Sequence, residues 1–238
     1  MFEEELEKAS ALYGLPLDRG QIEKFAIYCR LLIEWNEKMN LTAITEPKEI
    51  AVKHMVDSLT ALRGIEDGES LRLIDVGTGA GFPGIPLKIV RPDMDLLLLD
   101  SLKKRVRFLE TVVETLGFKG AACLHGRAEE AAREKGLRER FDVAVSRAVA
   151  RLPVLAEYLL PFVRVGGRAI ALKGLHSEEE AKEARRAAEI LGGALIETIP
   201  VSLPGLSDRR AVLVMKKERA TPKIYPRKAG TPAREPLL

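Results

Sequence analysis

The chain has 238 residues, 46% of them hydrophobic and 31% charged, with a net charge of +3. That length suits a single domain with a full core, and that composition excludes a disordered or fibrous chain. No apolar run approaches the ~20 residues needed to span a bilayer, and Met1-Phe-Glu-Glu-Glu5 is too acidic for a secretory leader, which predicts a cytoplasmic protein with no membrane partner.

The charge is unevenly spread. Residues 1–60 hold 11 acidic and 7 basic side chains, whereas residues 209–238 hold 9 basic and 2 acidic ones. A basic end on a near-neutral body fits either a polyanionic partner met at one face or a plain solvated tail. The two cysteines, Cys29 and Cys123, lie far apart without metal-like spacing, as expected of reduced, buried thiols. No metal site is expected.

In chain order, Leu6, Ala9 and Tyr13 recur at helical spacing until Gly14 and Pro16 break the run. A longer stripe comes next: Ile22, Phe25, Ala26, Cys29, Leu32, Ile33 and Met39. Pro47 suits the first position of a third helix, Lys48 to Leu62, stopped by Gly64. Residues 1–65 thus read as a helical cap packed on the rest of the chain. His54 and Asp57 share a face of the third helix, and either reach a substrate mouth or tie the cap to the body.

From Leu71 the pattern changes to alternating strand and helix. The apolar run Leu71, Leu73, Ile74 and Val76 reads as a buried strand, and it empties into a turn carrying Gly77, Gly79, Gly81 and Gly84. Such a loop lets a ligand approach the backbone and leads into the N-terminus of a helix over residues 84–90. A turn rich in glycine is a weak signal alone. Asp75 at the strand end sharpens it, as does Asp100 closing the next strand, residues 96–99, near the roughly 20-residue offset at which a carboxylate meets ribose hydroxyls. Two frames fit. Gly79, Gly81 and Gly84 match the dinucleotide fingerprint. Read from Asp75, the loop is D-x-G-x-G-x-G with Phe82 beside the ligand, which resembles the S-adenosylmethionine loop of class I methyltransferases; this frame begins at the strand end and is favoured.

Ser101 is expected to cap a helix running to Gly117. Strands at 121–124, 141–145 and 168–172 come after it, the last behind a Gly166-Gly167 turn. Ser177 with Glu180 reads as a capping box, and residues 195–201 and 211–215 as a closing hairpin. The whole predicts an α/β, Rossmann-like doubly wound sheet, mostly parallel with an antiparallel closing strand, over residues 71–216 of a single domain. Residues 217–238 form a basic, Pro-containing tail, expected to be extended and mobile. Ligands in such sheets sit beyond the carboxyl ends of the strands.

The match extends beyond a fold. Asn40-Leu-Thr-Ala-Ile-Thr45, His54-Met-Val-Asp-Ser58, residues 75–86, residues 99–108, residues 141–148, Leu172-Lys-Gly174 and residues 225–232 occur together and in order. In this the chain resembles the bacterial small-subunit rRNA (guanine-N7)-methyltransferase G family, also called glucose-inhibited division protein B. The resemblance implies S-adenosyl-L-methionine as cofactor, and a guanine N7 in the decoding-region loop of 16S rRNA as target, in RNA or in a small-subunit assembly intermediate; a monomer is expected, though the sequence does not itself fix the oligomeric state. The same resemblance implies cofactor contacts from Asp75, Gly77, Gly79 and Phe82, with Asp100, Ser101 and Leu102 at the ribose, Ala128 and Glu129 at the adenine, and Arg147 closing the site. His54, Lys173 and Arg209 are candidates for the substrate side. No general base is required, because guanine N7 carries no proton. The competing classes are a nicotinamide-dependent oxidoreductase, which would need a proton-transfer residue near the loop, and a non-catalytic RNA-binding protein, which has no use for a complete cofactor loop.

Overall fold

A computed structural model describes residues 1–66, 68, 71–174 and 177–238. The chain opens with α1 (Phe2–Leu12) and α2 (Arg19–Met39). Asp18 caps α2 reciprocally: its carboxylate accepts from Gln21 N at 2.8 Å, and Gln21 Oε1 accepts from Asp18 N at 3.0 Å. The expected third helix is present but not uniform. It comprises α3 (Pro47–Ile50), a π-helical turn (Ala51–Val56), α4 (Asp57–Leu59) and a 3₁₀ turn (Thr60–Gly64).

Strands and helices then alternate: β1 (Arg72–Val76), α5 (Gly84–Val90), β2 (Asp95–Asp100), α6 (Lys103–Thr115), β3 (Ala121–His125), α7 (Ala128–Ala131) and β4 (Phe141–Arg147). They continue as α8 (Leu152–Leu159) with a 3₁₀ turn (Leu160–Phe162), β5 (Val163–Lys173), α9 (Ser177–Ile190), β6 (Gly193–Val201), β7 (Arg210–Lys217) and α10 (Thr231–Arg234). The sheet order is β3-β2-β1-β4-β5-β7-β6. Neighbours among β1 to β5 run parallel, while β7 is antiparallel to both β5 and β6. Strand order reverses between β1 and β4, the switch point where such sheets hold ligands.

The period of two along each strand divides the core. Leu73, Val143 and Val212 face a cluster that also holds Leu6, Phe25 and Leu32 of the N-terminal helices. Their neighbours Ile74, Ala144 and Leu213 face a second cluster with Leu155 of α8 and Ala184 of α9. Each fully buried leucine or valine contributes about 1.5–3 kcal/mol, so the N-terminal helices belong to the same core as the sheet.

Some local expectations differ from the structure. Gly166 and Gly167 lie inside β5, at an irregularity where the register against β4 jumps from Phe141↔Val163 to Val143↔Arg168. The cap position of α6 is Leu102 and not Ser101, without a side-chain cap bond, and Leu102 N donates to Asp100 Oδ1 at 2.9 Å. Glu180 reaches across to accept from Leu152 N at 2.7 Å and to pair with Lys173.

The tail is not extended into solvent. Arg138 donates to Thr221 O at 2.8 Å and Tyr225 O at 2.9 Å, and Arg133 donates to Pro226 O. Arg227 grips the buried Glu157 carboxylate at 2.7 Å. Gly230 N then donates to Glu129 Oε1 at 2.8 Å, and Pro232 is buried. The proline-rich spacing suggests mobility, but charge-assisted bonds from distant arginines hold the segment down.

Candidate functional site

The glycine loop is held from beneath. Asp75 is fully buried, and its Oδ2 accepts from Gly84 N at 2.7 Å and Thr78 Oγ1 at 2.6 Å, while Oδ1 has no partner among the described residues. Burial pushes its carboxyl up to about 7, against the pull of those two bonds. Tyr28 of α2 donates to Ala80 O at 2.5 Å. A Cβ on Gly81 would stand 2.8 Å from that hydroxyl and 2.6 Å from Ile85 Cγ1, so only glycine allows the close packing. Gly79, at φ +61°, has open space where its Cβ would be, which leaves its backbone approachable.

Above the loop is a cleft of about 240 Å³ lined by Gly77, Asp100, Ser101, Ala128 and Glu129, all sequence candidates. Asp100 is only 3% exposed. Its Oδ2 accepts from Gly79 N at 2.9 Å, so the carboxylate joins the loop to the end of β2. With two N–H donors taken, a carboxylate still has lone pairs for a pair of hydroxyls. Asp75, Gly79 and Phe82 are not on the cleft wall, Phe82 packing instead against His54 and Arg147, and Leu102 is an exposed apolar side chain at the start of α6.

A second cavity, about 520 Å³, adjoins the first and is lined by His54, Asp57, Arg147, Lys173, Arg209 and Arg210 among others. Its organiser is Asp57. Oδ2 accepts from Arg147 at 2.8 Å and Oδ1 from Arg210 at 2.8 Å, so one buried carboxylate from the cap ties the end of β4 to the start of β7. The Arg147 guanidinium lies 4.6 Å over the Phe82 ring, and the His54 ring stacks on it at 4.5 Å. Arg147 Nη2 lies 3.2 Å from His54 Nδ1. The same Nδ1 lies 3.2 Å from Lys53 O, so it stands between a donor-only guanidinium and an acceptor-only carbonyl, while Nε2 is 2.7 Å from Thr42 Oγ1. Burial, reinforced by the neighbouring Arg147 charge, lowers the His54 pKa to about 3. Lys173 is tied to Ala150 O at 2.6 Å and Glu180 at 2.8 Å, so it fixes the loop after β4. Arg209 is exposed on the rim.

The family model for rRNA small subunit methyltransferase G (GidB) matches residues 21–207. The chain is 48% identical to the Ribosomal RNA small subunit methyltransferase G of Desulforamulus reducens, over 98% of this chain and 97% of that one. It is 51% identical to that of Acetivibrio thermocellus, over 98% and 95%. The chain belongs to this family. Among solved structures, a SAM-dependent methyltransferase from Aquifex aeolicus aligns with TM-score 0.55 and 17% identity over 74% of this chain and 96% of that one. TrmN from Thermus thermophilus aligns at 0.52 and 20%, over 67% and 48%. Those likenesses show the class I methyltransferase fold, which is the fold class expected from the sequence.

In this methyltransferase nine of the sequence candidates fall into two groups, while Asp75, Gly79, Phe82 and Leu102 line neither space. Gly77, Asp100, Ser101, Ala128 and Glu129 meet at the cleft; His54, Arg147, Lys173 and Arg209 meet at the second cavity. Arg147, expected beside the cofactor, faces the second cavity. Sequence reasoning missed Tyr28, Arg210 and Ala233, the last of which also lines the cleft; only Arg210, next to Arg209 in a basic run, left any local trace. Among the described residues no group of three or more His, Cys, Asp or Glu could hold a metal ion, and no helix is long and apolar enough to cross a membrane.

Proposed function

We propose that this family member binds S-adenosylmethionine over the glycine loop and transfers its methyl group to guanine N7 in the decoding-region loop of 16S rRNA, presented in the adjoining cavity. One observation carries the reading. Arg147 and Ala148 line the second cavity, and the next two residues, Val149 and Ala150, line the cleft, so the two spaces flank a single turn of backbone after β4. A donor bound in one and an acceptor bound in the other would lie side by side, and oriented proximity can contribute roughly 7–11 kcal/mol.

The residues fit the cofactor: Asp100 has acceptor capacity for a ribose edge, and Gly79 presents open backbone. Bound there, S-adenosylmethionine supplies an electrophilic methyl group. The protein supplies no base, and needs none, since guanine N7 presents a lone pair without a proton. Burial keeps His54 neutral and both its ring nitrogens have protein partners, and both oxygens of Asp57 are occupied by guanidinium groups. Their work is to hold the cavity wall. The enzyme acts as a cytoplasmic monomer on 16S rRNA or a small-subunit assembly intermediate.

Single-turnover methylation of a decoding-loop RNA, with the product mapped by N7-methylguanine-specific strand scission, tests this. Scission at one guanine and a rate flat from about pH 6 to 9 are expected. A methyl group on another atom, or a unit-slope rise with pH abolished by His54→Gln, would overturn it.

A further inference from the structure

The C-terminal segment belongs to the cofactor site. We infer that residues 230–238, and Ala233 in particular, form the outer wall of the cleft beside Glu129 and take part in binding the nucleoside end of S-adenosylmethionine. The inference rests on placing the cofactor in that cleft. Ala233 lines it together with Gly77, Asp100 and Glu129, although it lies more than a hundred residues beyond all three in sequence. The segment is brought there by a series of anchors. Arg138 and Arg133 fasten residues 221–226, Arg227 closes on Glu157, and Gly230 N donates to Glu129 Oε1 at 2.8 Å.

The last contact joins segment and site directly. Glu129 is only 3% exposed, and its Oε2 is 3.8 Å from Arg127 Nε, outside hydrogen-bond range. The backbone donor on Gly230 therefore fixes the orientation of the Glu129 carboxylate. A wall of this kind, assembled after the sheet, acts on the nucleoside and leaves the acceptor cavity untouched, since no described residue beyond Ala211 lines that cavity.

Two variants and a control test the assignment in the full-length protein and in a chain ending at Gly230. The truncated chain keeps the Gly230–Glu129 bond and loses Ala233. It should bind S-adenosylhomocysteine and adenosine more weakly by the same factor, about tenfold, because the lost contact lies at the part they share. In Ala233→Cys the new thiol should react with a maleimide, and saturating S-adenosylhomocysteine should slow that reaction at least fivefold. The native thiols interfere little, since burial pushes Cys29 and Cys123 up to about 12. Unchanged affinities in the truncated chain and unchanged labelling in the presence of ligand, with Asp100→Ala still weakening binding, would overturn the role of the segment. Wild-type affinity in Asp100→Ala would instead overturn the placement of the cofactor.

Discussion

Asp57 faces two guanidinium groups, and removing its charge leaves them facing one another in a half-buried space. Asp57→Asn should cost about 2–4 kcal/mol of stability, discounted for the solvent that reaches Arg210, as read by urea unfolding. His54 offers a pH test. Its folded pKa of about 3 lies below the ordinary 6.5, so below 6.5 the unfolded chain takes up a proton that the folded chain refuses. Its contribution is present above 6.5 and is lost as pH falls toward 3. The stability advantage of wild type over His54→Gln should shrink across that window; an advantage constant from pH 7 to 4 would show that the ring is not held neutral. At this scale the sequence is informative where chemistry and spacing coincide, as at Asp100. The trio of Asp57, Arg147 and Arg210 is not legible, because three elements far apart in the chain meet only in the fold.

The glycine loop as an element depends on a helix from the other end of the core. Tyr28→Phe would leave Ala80 O buried without its donor, a loss of about 1–3 kcal/mol. Because the same loop holds Gly79 against Asp100, cofactor affinity should fall along with stability; calorimetry showing full affinity in a destabilised variant would separate the two. Strands β1, β2 and β4 are legible as apolar runs since each is buried on both faces. The segmented helix over residues 47–64 is legible only as a helix. Its π turn, of a kind often found at functional sites, places His54 and leads into Asp57, and no side-chain pattern announces it. The tail misleads for a related reason: its partners, Arg133, Arg138 and Glu157, lie in elements it does not neighbour in sequence.

For the whole molecule, the basic surplus after Arg209 has two uses. Arg210, Lys217 and Arg227 are drawn into internal pairs, while Lys223 and Lys228 stand exposed. Changing both exposed lysines to glutamine should reduce the slope of log affinity for RNA against log salt by about 1–2, without shifting Tm. An unchanged slope would place the RNA on another face. Net charge and its asymmetry are plain in the sequence, but which cations face solvent depends on packing that composition does not encode.

The position of β7 governs when the protein can be finished on the ribosome. The last strand to be synthesised enters between β5 and β6, so both of those strands emerge before their shared partner. A nascent chain halted before Arg210 carries two long, bare edges of unpaired N–H and C=O groups, one on β5 and one on β6, which invite pairing with a neighbouring chain. The sheet therefore closes only once β7, through Lys217, is free to pair. Released chains truncated from the C-terminus should turn from protease-sensitive to resistant in one step once Lys217 is included, whereas a gradual gain of resistance from β5 onward would show that β6 finds another partner first.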